Sequence, residues 1–205
     1  HATDPSGSGI STDKTFSFTT KLMPPTWWNT NWNYQKEITI NHNMVQADMT
    51  NFPVLISLAS DPDLQAHAQP DGDDFVFTDI AGNKLNHEIE VYTTGTGHLV
   101  AWVNIPSLSS TVDTTLYLYY GNSDCSNQQN KQGTWNSNYL MVHHMNPTGN
   151  ILDSTVNQFN GINTGTVADA GMFGSCRFFD SVSDDINFGN NALLNPGMNS
   201  WTISS

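Results

Sequence analysis

The fold is decided by the stretch LVAWVNI at residues 99–105, which is apolar on both of its alternating faces. A half-buried strand alternates apolar and polar residues, whereas a strand that is covered on both faces is apolar almost throughout. We therefore predict that residues 99–105 form a central strand of a sheet, with Trp102 in its middle.

Shorter runs with a period of two lie on both sides of this stretch and predict half-buried strands. Clear examples are residues 34–40 and 116–120, and turn sequences such as Asp71-Gly72 and Gly121-Asn122 separate the runs. A single short helical turn is predicted at residues 62–68. Strands at this spacing predict an all-β fold: a jelly-roll-like β-sandwich, followed by a second, apparently incomplete β-rich segment.

The composition limits the function classes. The chain has 205 residues, 19 acidic against 6 basic side chains, and a formal net charge of -13. Nucleic-acid binding relies on cationic contacts with phosphates, so we expect no nucleic-acid partner. No apolar run approaches the roughly 20 residues that a bilayer span needs, so we expect no membrane insertion. Polarity comes from Asn, Ser and Thr, which is common in secreted and cell-surface modules and predicts an extracellular location.

The order of strands and polar linkers predicts five segments. Residues 1–20 hold an orphan strand in which Phe16 and Phe18 share one face, and residues 21–28 form a Pro-rich linker. A β-sandwich follows at 29–123, a second linker at 124–134, and an incomplete β-rich segment at 135–205. We expect either a piece of a longer protein or a protomer that borrows strands from a neighbour.

Six motifs follow one another in the central part of the chain: WNYQKEITI at 32–40, NFPVLI at 51–56, DGDDFVFTD at 71–79, EIE at 88–90, AWVNIP at 101–106 and LYLYYGN at 116–122. With these motifs in this order, about residues 27–123 resemble the β-rich family catalogued as domain of unknown function 2341. The resemblance implies a secreted or surface multidomain context and no established activity.

Two further stretches resemble known domains. The segment at 135–205 is similar to the start of a laminin G-like, concanavalin A-like domain, through VHHMN at 142–146, RFFD at 177–180 and WTIS at 201–204. Residues 1–20 resemble the last strand of a bacterial Ig-like domain. The laminin G-like resemblance implies a lectin-like sandwich that often binds Ca²⁺ near a loop rim.

Acidic residues form the first group of candidate sites. Glu88 and Glu90 stand two apart on a predicted strand and could converge as a glycosidase pair does, but we expect them to face solvent and predict no catalytic residue. Two sets of aspartates are candidate Ca²⁺ ligands, with ordinary turn capping as the alternative. One set is Asp71, Asp73 and Asp74; the other is Asp153, Asp180, Asp184 and Asp185.

Aromatic and sulfur-bearing residues form the second group. Trp27, Trp28 and Trp32 form a candidate glycan-stacking platform, with packing against the sandwich as the alternative. Cys125 and Cys176 are predicted to form a disulfide between the two modules, with free buried thiols as the alternative. The adjacent His143 and His144 point to opposite faces of a strand, so they are not expected to bind one ion.

These features predict a non-catalytic extracellular segment for adhesion, glycan binding or scaffold spacing. It requires no cofactor, although Ca²⁺ is a candidate ligand. The second hypothesis is a filament subunit in which the strand with Phe16 and Phe18 adds to the open sheet of a neighbouring copy. The third is an accessory carbohydrate-binding module of a polysaccharide-degrading enzyme.

Overall fold

The computed structural model describes residues 27–145, 147–195, 197 and 200–203. Six strands build the sandwich and pair antiparallel throughout. In chain order they are β1 (Tyr34–Ile40), β2 (Met49–Leu58), β3 (Val76–Asp79), β4 (His87–Thr93), β5 (His98–Leu108) and β6 (Thr114–Tyr120). The all-β sandwich predicted from the sequence is confirmed.

The strands form two three-stranded sheets, with orders β1-β6-β3 and β2-β5-β4. The core lies between them, because alternate residues of both sheets enter one apolar cluster. From β5 it takes Leu99, Ala101 and Val103, and from β6 it takes Leu116 and Leu118. The prediction for residues 99–105 is confirmed: β5 is the central strand of its sheet, and its only partly exposed residue in this stretch is Trp102.

The predicted helical turn forms α1 (Pro62–His67). Asp61 caps its first turn by accepting hydrogen bonds from the backbone amides of Asp63 and Leu64, at 3.0 and 3.1 Å. Pro62 suits the first helical position, where an amide hydrogen has no partner in any case. The fully buried Leu64 ties this helix to the core.

In the segment 124–134, predicted as a linker, residues 129–134 lie along the open edge of β4. The amide of Asn130 donates to the carbonyl of His87 at 3.0 Å, and the side chain of Gln129 accepts from the amide of Ile89 at 2.7 Å. The short helix α2 (Lys131–Thr134) follows. Polar side chains are suited to this place because an edge strand leaves backbone groups unpaired.

The remaining strands form two small antiparallel sheets of two strands each. Their members are β7 (Ile162–Thr164), β8 (Val167–Ala170), β9 (Ser175–Phe178) and β10 (Asp185–Asn187), with β7 pairing β10 and β8 pairing β9. All four residues of β8 are exposed. In the described part of the predicted lectin-like segment, these two sheets are the regular β-structure.

Candidate functional site

The site lies on the outer face of the β2-β5-β4 sheet, where a bulge brings two glutamates together. Glu88 pairs with Trp102 across β4 and β5, and the register then shifts between Ile89 and Val91. Glu90 is therefore the extra residue of the bulge, a feature that re-aims side chains. The expectation that both carboxylates face solvent is wrong: their side chains are only 2% and 8% exposed. The cause is a cover by residues 131–145 and 147–155, which the sequence assigned to the second linker and to the segment that follows it.

The imidazole of His144 bridges the two carboxylates. Its Nε2 lies 3.1 Å from Oε2 of Glu88, and its Nδ1 lies 3.2 Å from Oε2 of Glu90. The ring is itself largely buried, with 14% of the side chain exposed. Each ring nitrogen thus faces its own carboxylate oxygen at hydrogen-bond distance.

Other donors complete the shells of both carboxylates. The indole Nε1 of Trp135 donates to Oε2 of Glu88 at 2.9 Å, and that of Trp102 donates to Oε2 of Glu90 at 2.8 Å. The hydroxyl of Ser154 donates to Oε1 of Glu88 at 2.6 Å. The exposed ammonium of Lys131 lies 3.7 Å from the same oxygen. Burying a charge is costly unless hydrogen bonds compensate for the lost water. Here the donors point at the two carboxylates, and hydrogen bonds to ionised groups are stronger than those between neutral groups.

These contacts shift the pKa values of the pair in opposite directions. Burial disfavours the charged form of Glu88, but hydrogen bonds from His144, Ser154 and Trp135 outweigh it and lower the pKa of the carboxyl. Burial likewise opposes charge on His144, yet its bonds to Glu88 and Glu90 raise its pKa to about 9. At neutral pH the centre is therefore an imidazolium between two carboxylates.

A cleft of about 260 Å³ opens beside this centre. Side chains from separate segments of the chain line the cleft. The polar ones include Glu88, Glu90, Lys131, Gln132 and Ser154, and Leu152 is apolar. The tip of the β8–β9 hairpin also reaches it, since a Cβ added at Gly174 would lie 3.0 Å from Oε1 of Glu90. Such a cleft offers both hydrogen-bonding groups and an apolar surface to a small ligand.

The three tryptophans predicted as a glycan platform pack mainly against the other sheet. Trp32 is only 5% exposed, and its Nε1 donates to the carbonyl of Asp74 at 2.6 Å. Trp28 contacts Trp32 edge-on, and both belong with Tyr119 to an apolar cluster on the outer face of β1-β6-β3. Trp27 is 42% exposed and is the member that offers a free surface.

In the first set of aspartates predicted as Ca²⁺ ligands, Asp71 and Asp74 are occupied with backbone groups. Asp74 is buried and accepts from the amides of Gln69, Gly121 and Asn122, while Asp71 caps the amide of Asp73. In the described residues, no three His, Cys, Asp or Glu side chains converge on a place for a metal ion.

The second set of aspartates is similarly engaged. The carboxylate of Asp153 accepts from the amides of Val142, Thr155 and Phe159 and from the hydroxyl of Thr155. In the same way, Asp184 accepts from the amide of Asp180, and Asp180 from that of Val182. Asp185 begins β10. Calcium binding by either set stays a prediction.

The predicted disulfide is not formed, because Cys125 and Cys176 are both free thiols. The sulfur of Cys125 lies 3.4 Å from the carbonyl oxygen of Asn122, beside the β1-β6-β3 sheet. Burial raises the pKa of this thiol. The sulfur of Cys176 lies 3.4 Å from the carbonyl oxygen of Ala170, within the β8–β9 hairpin. Phe16 and Phe18, the predicted donor strand, lie outside the described residues.

Sequence reasoning missed the site itself, although it noted parts of it. The sequence shows that Glu88 and Glu90 stand two residues apart, and it predicts that the adjacent His143 and His144 point in opposite directions. His143 indeed turns away, bonding the carbonyl of Phe159 at 2.9 Å and stacking on Phe188. No local signal connects His144 with glutamates more than fifty residues earlier in the chain.

Comparison with known proteins gives a family and no function. Neither curated proteins nor solved structures yield a match. In the part of the chain that the structure describes, no helix has the length and apolar character to cross a membrane. The family model for a domain of unknown function, DUF2341, matches residues 71–190, which begin later and extend further than the resemblance at 27–123. This match covers more than half of the chain, and the protein belongs to the DUF2341 family.

Proposed function

We propose that this chain is a non-catalytic extracellular module that binds a glycan in the cleft beside Glu88 and Glu90. The observation that carries the proposal is the lining of that cleft, where Lys131, Gln132 and Ser175 stand next to the apolar Leu152. Sugars offer hydroxyl groups for such polar side chains and apolar C–H faces for the rest. The cleft is slightly smaller than the roughly 300–1,000 Å³ of drug-sized pockets, which favours one or two sugar rings.

The arrangement of the two glutamates favours binding over hydrolysis. A glycosidase places one carboxyl group as an acid and another as a base or nucleophile on opposite sides of the scissile bond. Here both carboxylates contact the same imidazole, and Glu88 also accepts from Trp135 and Ser154. The imidazole of His144 occupies the space between the two carboxylates. Binding without hydrolysis also agrees with an accessory module of a polysaccharide-degrading enzyme.

An extracellular lectin-like role has further support in the sequence. The charge-poor, Asn-, Ser- and Thr-rich composition is common among secreted modules, and the segment at 135–205 resembles the start of a laminin G-like domain. Part of that segment, including Ser154 and Ser175, lines the cleft. The binding site would then be shared between the sandwich and the lectin-like segment.

A glycan array probed with the full chain tests this function. We expect the chain to bind at least one class of oligosaccharide on the array. Gln132→Ala, which changes an exposed side chain at the cleft, should weaken that binding at least tenfold. Gln65→Ala is the matched control, because Gln65 is exposed on α1 and does not line the cleft. Absence of binding across the array, or equal loss in both variants, would contradict the proposal.

A second candidate function is assembly into a filament by strand addition. The observation that favours it is the exposed β8–β9 hairpin, in which Val167 and Phe178 are 57% and 53% exposed. Isolated two-stranded sheets are marginally stable in water, and their open edges accept further strands. The strand predicted at residues 14–19, with Phe16 and Phe18 on one face, is the proposed donor.

Electron microscopy across a concentration series tests the filament hypothesis. Filaments should appear as the concentration rises, and the double substitution Phe16→Asp/Phe18→Asp should abolish them. The matched control Ser17→Asp/Thr19→Asp alters the opposite face of the same predicted strand. A monodisperse monomer at every concentration would exclude this function.

A further inference from the structure

The polar contacts between the loop of residues 142–155 and the sandwich are made with Glu88 and Glu90 of β4. Within the described residues, each hydrogen bond and ion pair from this loop to the sandwich ends on Glu88 or Glu90. His144 makes the contact near one end of the loop, and Ser154 makes it near the other. The loop is closed on itself, since the amide of Ser154 donates to the carbonyl of Val142 at 2.9 Å.

We propose that His144 is a protonation-dependent clamp: as an imidazolium it holds the loop 142–155 against β4 and keeps the cleft assembled, and on losing its proton it releases the loop. The proposal does not depend on a ligand, so it can fail or succeed separately from glycan binding. It assigns His144 a positioning role for the wall of the cleft that contains Leu152 and Ser154.

As long as Glu88 and Glu90 are both ionised, the geometry requires the charged form of His144. A neutral imidazole has one N–H donor and one nitrogen that only accepts. At distances of 3.1 and 3.2 Å to two carboxylate oxygens, both nitrogens of His144 must donate for both contacts to be favourable. After deprotonation, one nitrogen lone pair would face a carboxylate oxygen in a buried place, and that contact becomes repulsive.

The charged groups around the ring of His144 are two glutamates, one exposed lysine and one aspartate that is already engaged, so the charge on His144 decides whether the contacts with the glutamates are favourable. From β4 it faces Glu88 and Glu90, and from α2 the nearest cation is Lys131, which lies 3.7 Å from Glu88 and is 57% exposed. Asp153 also lines the cleft, but its carboxylate is engaged with backbone amides of its own segment. The flanking rings of Trp102 and Trp135 carry no charge.

The direction of the pH effect follows from the raised pKa. Because the folded-state pKa of His144 is about 9, above the usual 6.5, its stabilising contribution is complete below about pH 6.5. That contribution is lost as the pH rises through about 9. Burial raises the pKa of the nearby phenol Tyr139, so its titration does not fall in the same range.

Nitrogen NMR of the histidine rings in the full chain tests the protonation state directly. We expect both ring nitrogens of His144 to be protonated at pH 7, with a titration midpoint near pH 9. Glu90→Gln should lower that midpoint by about one pH unit or more, since it removes one of the two carboxylates. A neutral His144 ring at pH 7 would overturn the proposal.

Hydrogen exchange of an indole N–H tests the release of the loop. The Nε1–H of Trp102 belongs to β5, donates to Glu90 and lies beside the ring of His144, so release of the loop uncovers it. After correction for the intrinsic effect of pH, its exchange should accelerate at least tenfold between pH 7 and pH 10. His144→Gln should show fast exchange already at pH 7 and no further step, whereas His143→Gln, changed at the neighbour that faces away, should keep the step. If His144→Gln fails to fold, the wild-type titration still decides. A Trp102 indole that stays protected while the His144 ring titrates would refute the clamp.

Discussion

The two outer faces of the sandwich are covered by opposite chemistry. On β1-β6-β3, Trp28 and Trp32 lie on Val76, Tyr117 and Tyr119, and the cover is almost wholly apolar. The outer face of β2-β5-β4 carries an imidazole, two carboxylates and two indole N–H groups in one hydrogen-bonded network.

The stability of one cover depends on buried apolar area, and the stability of the other depends on the protonation states and hydrogen bonds of its members. Apolar burial is insensitive to protonation, because its free energy follows the area removed from water. A buried polar network is stable only while every member has its partner, so removing one group also affects the others. The two faces should therefore respond differently to substitution and to pH.

Trp32→Ala should cause the largest loss, about 4 kcal/mol in the free energy of unfolding. It opens a cavity under the aromatic cover and leaves the carbonyl of Asp74 without its indole donor. Urea unfolding at neutral pH measures it. Trp27→Ala is the control, because 42% exposure of that side chain predicts a cost of only about 1 kcal/mol. Equal losses in the two variants would show that the cover is not organised around Trp32.

Glu88→Gln should cost about 3 kcal/mol at pH 7, because it breaks a buried ion pair with little change in volume. The loss should shrink above about pH 9, where His144 no longer carries its charge, while the loss in Trp32→Ala should not change. Unfolding at pH 7 and pH 10 provides both numbers. Glu37→Gln, at an exposed position of β1, is the matched control and should be nearly neutral. A cost for Glu88→Gln below 1 kcal/mol would contradict a structural role for the network.

His87 shows what happens to an ionisable group without such partners. It is the neighbour of Glu88 on β4 but faces the core, where neither ring nitrogen has a hydrogen-bond partner. Burial lowers its pKa to about 4, below the usual 6.5. Between about pH 6.5 and pH 4, His87 is therefore protonated in the unfolded chain and neutral in the folded chain. The free energy of unfolding falls as the pH drops through this range.

His87→Phe should remove this acid sensitivity. Between pH 7 and pH 5 the wild type should lose about 2 kcal/mol more than the variant, as measured by urea unfolding at each pH. The phenylalanine ring is accommodated in an aromatic setting, since His87 lies against Phe77 with ring centroids 5.2 Å apart. Parallel losses in the two proteins would mean that His87 is already charged in the folded state.

The smallest expected effect concerns the hairpin tip at the cleft. Gly174 and Gly189 have almost the same positive φ, +75° and +74°, so alanine at either position should cost about 1 kcal/mol through backbone strain. At Gly174 the new methyl group would also meet Glu90 and Val91 at 3.0 Å, whereas at Gly189 it would meet nothing within 4 Å. Gly174→Ala should therefore cost about 1 kcal/mol more. Equal costs would show that the hairpin does not press on the network.

The sequence alone predicted the parts of this molecule whose signal is local. The apolar run at residues 99–105 predicts the central strand, the alternation at 34–40 and 116–120 predicts β1 and β6, and the short helical turn predicted at 62–68 corresponds to α1. The packing of Trp32 against the sandwich is the alternative expected for these tryptophans, because a tryptophan side chain buries a large apolar area.

The position of residues 131–145 and 147–155 follows from the tertiary structure alone. The sequence predicted a polar linker up to residue 134 and a separate module after it, yet these residues cover Glu88 and Glu90 and so bury charges that alternation alone would place in solvent. The pairing of His144 with these glutamates depends on a bulge in β4 and on an edge of β4 that residues 129–134 cover. Period and composition determine which face of a strand a residue occupies, but only the long-range packing determines what covers that face.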